Sequence, residues 1–154
     1  MPSPPGDPLT GSDLDDWLYS AIAAGESGLL ETLVTFAGHD DPEIRSTAAY
    51  GLGEIQDARA IETLIKIVDE DQNEKVRDEA LRALDSYRDP RILDCLVREV
   101  ARVKRSRPPR QVVARQLRHY PSERAVVALT ELLDDPDEFV RSDAAESLEI
   151  LAEQ

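Results

Sequence analysis

Apolar positions along the chain fall into stripes, and the stripes themselves recur. Arg45, Arg77, Arg110 and Arg141 serve as anchors, spaced 32, 33 and 31 residues apart. Three residues after each anchor stand Ala48, Ala80, Val113 and Ala144, and seven after stand Leu52, Leu84, Leu117 and Leu148. Ten after come Ile55, Tyr87, Tyr120 and Leu151. Offsets of 3, 7 and 10 lie on one face of an α-helix, where 3.6 residues make a turn. A second helix follows in the same register. Asp57, Asp89 and Ser122 are its N-caps, and Arg59, Arg91 and Arg124 stand fourteen residues after the anchors. Its buried stripe is read as Ile61, Leu93 and Val126, then Leu64, Leu96 and Leu129, then Val68, Val100 and Leu133.

The repeating unit is therefore a helix pair, and one pair cannot cover its own apolar face. The pairs span about 40–69, 72–104 and 108–134, after a decayed copy at about 13–38 whose core positions are Trp17, Ala21, Leu30, Leu33 and Val34. A lone helix over about 137–152 closes the array and is expected to turn Asp143, Glu146 and Glu149 to solvent as a cap. The whole predicts one all-α domain over 12–154, behind a flexible tail at 1–11 that carries four prolines. Pro42, Pro90, Pro108 and Pro136 fall in first turns or preceding loops, where a missing N–H costs little. Gly25 and Gly38 suit helix ends.

The stretches "DDPEIRSTAAYGLGEIQDARAIETLIKIV", "EKVRDEALRALDSYRDPRILDCLVREV" and "DPDEFVRSDAAESLEIL" resemble HEAT repeats of the short bacterial kind found in phycobilisome lyase subunits. The unit "PPRQVVARQLRHYPSERAVVALTELL" departs by lacking the acidic opening. The resemblance implies a right-handed α-solenoid of about four HEAT-like helix pairs plus a C-terminal capping helix. It implies an Arg–Asp ladder between repeats, matched here to the anchor arginines with Asp57 and Asp89. It also implies a concave face built from second helices. Those sites are Arg59, Glu62, Thr63 and Lys66, then Arg91, Asp94, Cys95 and Arg98, then Arg124, Val127, Ala128 and Glu131, with Glu31, Thr32 and Thr35 in the decayed unit. Function varies widely across such repeats, which serve as scaffolds, adaptors, lyase subunits and inhibitors.

Charge changes the picture more than composition does. The formal net charge is −14, which disfavours phosphate backbones and anionic lipid and favours basic partners. Residues 98–124 run against this trend, with 9 basic and 2 acidic groups against 8 and 21 in residues 1–97 and 1 and 9 in residues 125–154. The basic patch comprises Arg102, Lys104, Arg105, Arg107, Arg110, Arg115 and Arg118. It reads either as a run balanced by the protein's own acids or as a surface for an acidic protein, with nucleic acid the weakest option. No apolar run suits a membrane span. A lone Cys95 and an opening "MPSPPGDPLTG" without a leader pattern place the chain in the cytoplasm.

Chemistry is scarce in the sequence. Gly51-Leu52-Gly53 could suggest a phosphate loop, but such a loop needs a strand before it and a helix N-terminus after it. The register puts both glycines inside a helix, Gly51 at a packing position and Gly53 facing solvent. His39 is read as a loop residue and His119 as a helix-end residue, neither with metal-ligand spacing. Cys95 is placed on the surface of a second helix, without a base to activate it. The pairs Asp40-Asp41 and Asp134-Asp135 open helices. No catalytic, cofactor or metal residue is expected. The reading is a monomeric, non-enzymatic scaffold or adaptor that binds another protein through Arg59, Glu62, Lys66, Arg91, Asp94, Arg98, Arg124 and Glu131. The alternatives are an immunity-type inhibitor of a basic toxin or nuclease, or a bilin-lyase-like subunit.

Overall fold

The computed structural model describes residues 10–24, 27–102 and 107–154. They form nine helices and, among the described residues, no strand. The chain divides into two compact units, Met1–Tyr87 and Arg88–Gln154. Most of the expected tail and Gly25 lie outside the described residues. The chain enters helix at Gly11, because Thr10 and Asp13 cap each other: the Asp13 N–H donates to Thr10 Oγ1 and the Thr10 N–H to Asp13 Oδ2, both at 3.2 Å.

The first unit holds α1 (Gly11–Ala24), α2 (Leu29–Phe36), α3 (Pro42–Glu54), α4 (Ala60–Glu70) and α5 (Glu74–Leu84). Helix α3 packs on α1, on α2 and most extensively on α5, while α4 packs on α5. Leu18, Leu33, Ile44, Leu52, Leu64, Leu81 and Leu84 are fully buried there, and each contributes roughly 1.5–3 kcal/mol in removing its side chain from water. Trp17 meets Phe36 edge-on at 6.3 Å, which closes the first helix pair. Gly28 turns the chain into α2 with φ +87°, a conformation that costs other residues strain.

The second unit holds α6 (Pro90–Ala101), α7 (Arg107–Leu117), α8 (Glu123–Leu132) and α9 (Glu138–Ala152). Helix α6 packs on α7 and α8, and α9 packs on α7 and α8. Asp41, Asp89 and Ser122 cap their helices as expected, and Asn73 and Asp137, not singled out in the sequence, do the same for α5 and α9, each accepting an N–H from the first turn. Asp134-Asp135, expected to open a helix, stands before the true cap, where Asp135 instead accepts the Asp137 N–H and pairs with Arg110. Asp57 accepts from the Arg59 N–H one turn before α4 begins.

Several sequence expectations need correction. Val34, placed in the core, is 41% exposed. Val126 and Leu133 are exposed as well, and Leu93 is half-buried. In α8 the buried stripe is Ala125, Ala128, Leu129 and Leu132. It shares Leu129 with the expected stripe but keeps i, i+3, i+4, i+7 spacing, and that wider face is the one covered. Gly53 does not face solvent. A Cβ on it would lie 2.9 Å from the Ala83 Cα and Cβ, so α3 and α5 touch there through a missing side chain.

The anchor arginines form a ladder whose acids differ from those the resemblance implied. Arg45 grips Asp71 in a fork, Nε at 2.7 Å and Nη2 at 3.0 Å, and its Nη1 also donates to the His39 and Asp40 carbonyls. Arg77 and Arg141 donate in the same way to the Asp71 and Asp135 carbonyls, six residues before each. Arg110 reaches Asp135 at 2.7 Å. Asp57 and Asp89 instead hold Arg59 and Arg91, two residues on. At the ladder position before Arg45 stands His39, whose Nδ1 accepts the Asp41 N–H at 3.0 Å, as Asp71 accepts that of Asn73 and Asp135 that of Asp137. The preceding copy has Asp13 in place of an anchor arginine, so a carboxylate at position 39 would stand without the partner that Asp71 and Asp135 have.

Tyr87 ties the end of α5 back to α3. Its hydroxyl donates to the Leu52 carbonyl, one of the last four in α3, which have no partner within the helix. Burial, aided by the charge of Asp57, pushes the phenol up to about 12. A raised phenol pKa contributes stability below the ordinary value near 10 that is lost as pH rises toward 12. Tyr87→Phe is therefore expected to cost about 1–2 kcal/mol near neutral pH, the cost of an orphaned buried carbonyl. The same variant should show a shallower stability decline between pH 10 and pH 12 in urea titrations.

Candidate functional site

Helices α2, α4, α6 and α8 carry the residues that the sequence reading singled out. Fourteen, seventeen and twenty-one residues after each anchor, Arg59, Glu62 and Lys66 on the first unit are exposed, as are Arg91, Asp94, Arg98, Arg124, Val127 and Glu131 on the second. The eighteenth position is different: Cys95 and Ala128 are buried and Thr63 is half-buried. Cys95 is thus a core thiol rather than a surface one. It belongs to the stripe Ile92, Cys95, Leu96 and Glu99, one residue out of step with the expected one.

The arginines are held rather than loose. Arg59 forks onto Asp57, its Nη2 at 2.7 Å, and its Nη1 stands 3.4 Å from Glu31 on the neighbouring α2. Arg91 forks onto Asp89 at 2.9 and 3.0 Å. The side-chain bonds from these arginines, followed by their backbone N–H groups, hold Asp57 and Asp89 below the usual carboxylate range. Arg124 Nη1 lies 2.6 Å from Asp94 on the neighbouring α6. Arg59 and Arg124 thus repeat one arrangement, a guanidinium bridging two successive second helices. Such exposed pairs add little stability, on the order of 0–1 kcal/mol. Their effect is to fix where the cations point.

Between successive second helices run grooves with aliphatic floors and charged rims. In the first unit a cavity of about 310 Å³ lies between α2 and α4, lined by Val34, Ala37, Thr63, Lys66, Ile67 and Glu70 among others. In the second a cavity of about 290 Å³ lies between α6 and α8, with Val97, Val100, Val127, Ala128, Arg124 and Glu131 on its walls. Apolar surface ringed by charge is the composition of a protein-recognition patch, with arginine a frequent energetic anchor.

The basic segment is largely matched from within. Arg102 pairs with Glu99 at 2.8 Å and Arg110 with Asp135 at 2.7 Å. Arg115 pairs with Asp143 at 3.1 Å and Arg118 with Glu146 at 3.9 Å. Gln111 donates to Asp143 as well. Asp143, expected on the outer face of the cap, therefore faces α7, its side chain only 13% exposed. Lys104 and Arg105 lie outside the described residues, as does the side chain of Arg107. The acids that neutralise α7 stand 25 to 28 residues after their arginines, close to one repeat on. That spacing was a signal available in the sequence.

Among the described residues no three His, Cys, Asp or Glu side chains cluster as metal ligands. No helix there is long and apolar enough to cross a membrane.

Residues 20–85 match the family described as HEAT repeats. Among solved structures, the whole chain superimposes on 69% of a chain in the complex of CpcE and CpcF of phycocyanin lyase from Nostoc sp. PCC7120, with TM-score 0.73 and 21% identity. An engineered protein matches over 93% of this chain and 70% of its own, with TM-score 0.65 and 23% identity. No curated protein matches the sequence. The fold is a HEAT-like α-solenoid of stacked helix pairs.

Proposed function

From a stack of HEAT-like pairs we propose a non-enzymatic protein-binding scaffold that receives its partner on the second-helix faces. One observation carries this reading: both units present an aliphatic groove between successive second helices, rimmed by charges such as Lys66 and Glu70 in one and Arg124 and Glu131 in the other. Each groove is open-sided and suits the ridge of another protein chain. The first unit also exposes Arg59 and Glu62 beside its groove-forming helices, and the second exposes Arg91, Asp94 and Arg98 on its own. Affinity capture from the encoding organism's lysate tests it by comparing wild type with Arg59→Glu/Arg91→Glu/Arg124→Glu. A partner whose yield falls about tenfold or more supports the reading, since the reversal removes three guanidinium anchors from the binding faces. Equal yield with a variant of unchanged circular dichroism argues against it.

A second reading has its own support. A neighbour of similar fold belongs to a complex of phycocyanin lyase, which favours a lyase-type subunit. The groove linings here are aliphatic and charged, whereas Trp17 and Tyr87 are packed inside. Mixing the protein with a bilin and recording visible absorbance decides: a shifted, enhanced band favours the lyase reading and an unaltered spectrum sinks it.

A further inference from the structure

Charge is divided between the units with little balance. Residues 1–87 carry 6 basic and 19 acidic groups, a net of −13, and residues 88–154 carry 12 and 13, a net of −1. Nearly all of the protein's acidity therefore belongs to the first unit. In that unit a cavity of about 510 Å³ opens where the end of α1 meets the start of α2 and the α3–α4 turn. Its floor is apolar, formed by Ile22, Leu29, Leu30 and Ile55. Its rim holds three carboxylates, Glu31, Glu54 and Asp57, against one guanidinium, that of Arg59.

Arg59 shows how a cation sits at this rim. It takes Asp57 in a fork and leaves Glu31 only a long contact at 3.4 Å. Glu54 is exposed and has no ion pair among the described residues. An apolar floor below a carboxylate rim matches a side chain with an aliphatic stem and a cationic head. An anionic group would meet repulsion there, and a wholly apolar one would strip water from carboxylates without replacing it.

We propose that this cavity docks an arginine- or lysine-bearing segment of a basic protein partner, the stem lying on Ile22, Leu29, Leu30 and Ile55 and the cation against Glu31 and Glu54. The proposal rests on the scaffold reading and specifies the partner's chemistry at one point of the first unit. The net charge of −13 draws such a segment in, and the cavity gives it a fixed seat.

The test titrates a fluorescent oligoarginine peptide into the full chain at about 0.1 M salt, where charges more than roughly 10 Å away are screened. Glu31→Gln/Glu54→Gln is compared with Glu43→Gln/Glu74→Gln, two exposed acids of α3 and α5 that remove the same charge away from the cavity. The expected result is at least a fivefold loss of affinity for the cavity pair and less than twofold for the control pair. Amide resonances of Leu29, Leu30 and Ile55 should shift on adding peptide to wild type. Equal losses in both pairs, or no loss in the cavity pair, overturn the proposal by showing diffuse attraction alone. If that happens while Arg59→Glu/Arg91→Glu/Arg124→Glu still loses its captured partner, the docking cavity falls and the scaffold reading stands.

Discussion

Arg45→Ala is expected to destabilise the first unit by about 3 kcal/mol or more, because it leaves a buried carboxylate without its guanidinium. The Arg45 side chain is 17% exposed and that of Asp71 only 7%, so water cannot substitute well for the lost fork. The substitution also releases the His39 and Asp40 carbonyls, which fix the loop before α3. The acid side carries a sign that can be checked. Burial pushes Asp71 up, but the Arg45 fork, the Asn73 N–H and the charges of Arg45 and Arg77 together hold it below the usual range. A depressed carboxylate contributes stability above its ordinary value near 3.9 and loses it as pH falls through the lower folded value. Without Arg45 the burial effect dominates and Asp71 titrates higher. The gap between variant and wild type should therefore be widest near neutral pH and narrow below about pH 4. Trp17, the only tryptophan, reports the unfolding of this unit by fluorescence in urea. An unchanged midpoint at neutral pH would contradict the ladder.

Gly53→Ala is expected to cost about 1–3 kcal/mol, although alanine favours helix over glycine by roughly 0.5–1 kcal/mol. The added Cβ would meet Ala83 Cα and Cβ at 2.9 Å, and a backbone atom cannot swing aside, so α3 and α5 must part. Gly51→Ala makes the comparison informative. Its Cβ would lie 2.9 to 3.0 Å from methyl groups of Leu18 and Leu33, the far ends of side chains that can rotate. The gain in helix propensity offsets much of that adjustment, leaving a change within about 1 kcal/mol. Thermal unfolding of both variants checks the order. A Gly53→Ala protein more stable than Gly51→Ala would show that α3 and α5 can part at Ala83 at little cost.

The repeat was legible because helical period and repeat period coincide in the sequence. Ala48, Ala80, Val113 and Ala144 are all buried, and the caps Asp41, Asp89 and Ser122 sit where their spacing puts them. The exposure of the candidate arginines was legible too, since Arg59, Arg91 and Arg124 all reach solvent. What escaped depends on neighbours rather than on period. Gly53 shares its register with Asp85 and Glu149, which are exposed, and only the approach of Ala83 distinguishes it. Cys95 and Ala128 are buried because second helices turn a slightly rotated face inward. For the basic run over 98–124 both readings stayed open, because charge counting along a chain cannot pair Arg115 with Asp143 or Arg110 with Asp135. A carboxylate six residues before the next anchor, as at Asp71 and Asp135, was nevertheless a readable mark of the ladder.

The measurement that bears most directly on the scaffold account is hydrogen exchange of the protein alone and in its captured complex. The account predicts slowed exchange along α2, α4, α6 and α8, concentrated beside Glu31, Arg59, Lys66, Arg98 and Glu131, with α5, α7 and α9 unaffected and α3 slowed only at its Glu54 end. Slowing confined to α3, α5, α7 and α9, with the second helices exchanging as in the free protein, would place the partner on the opposite layer and contradict it.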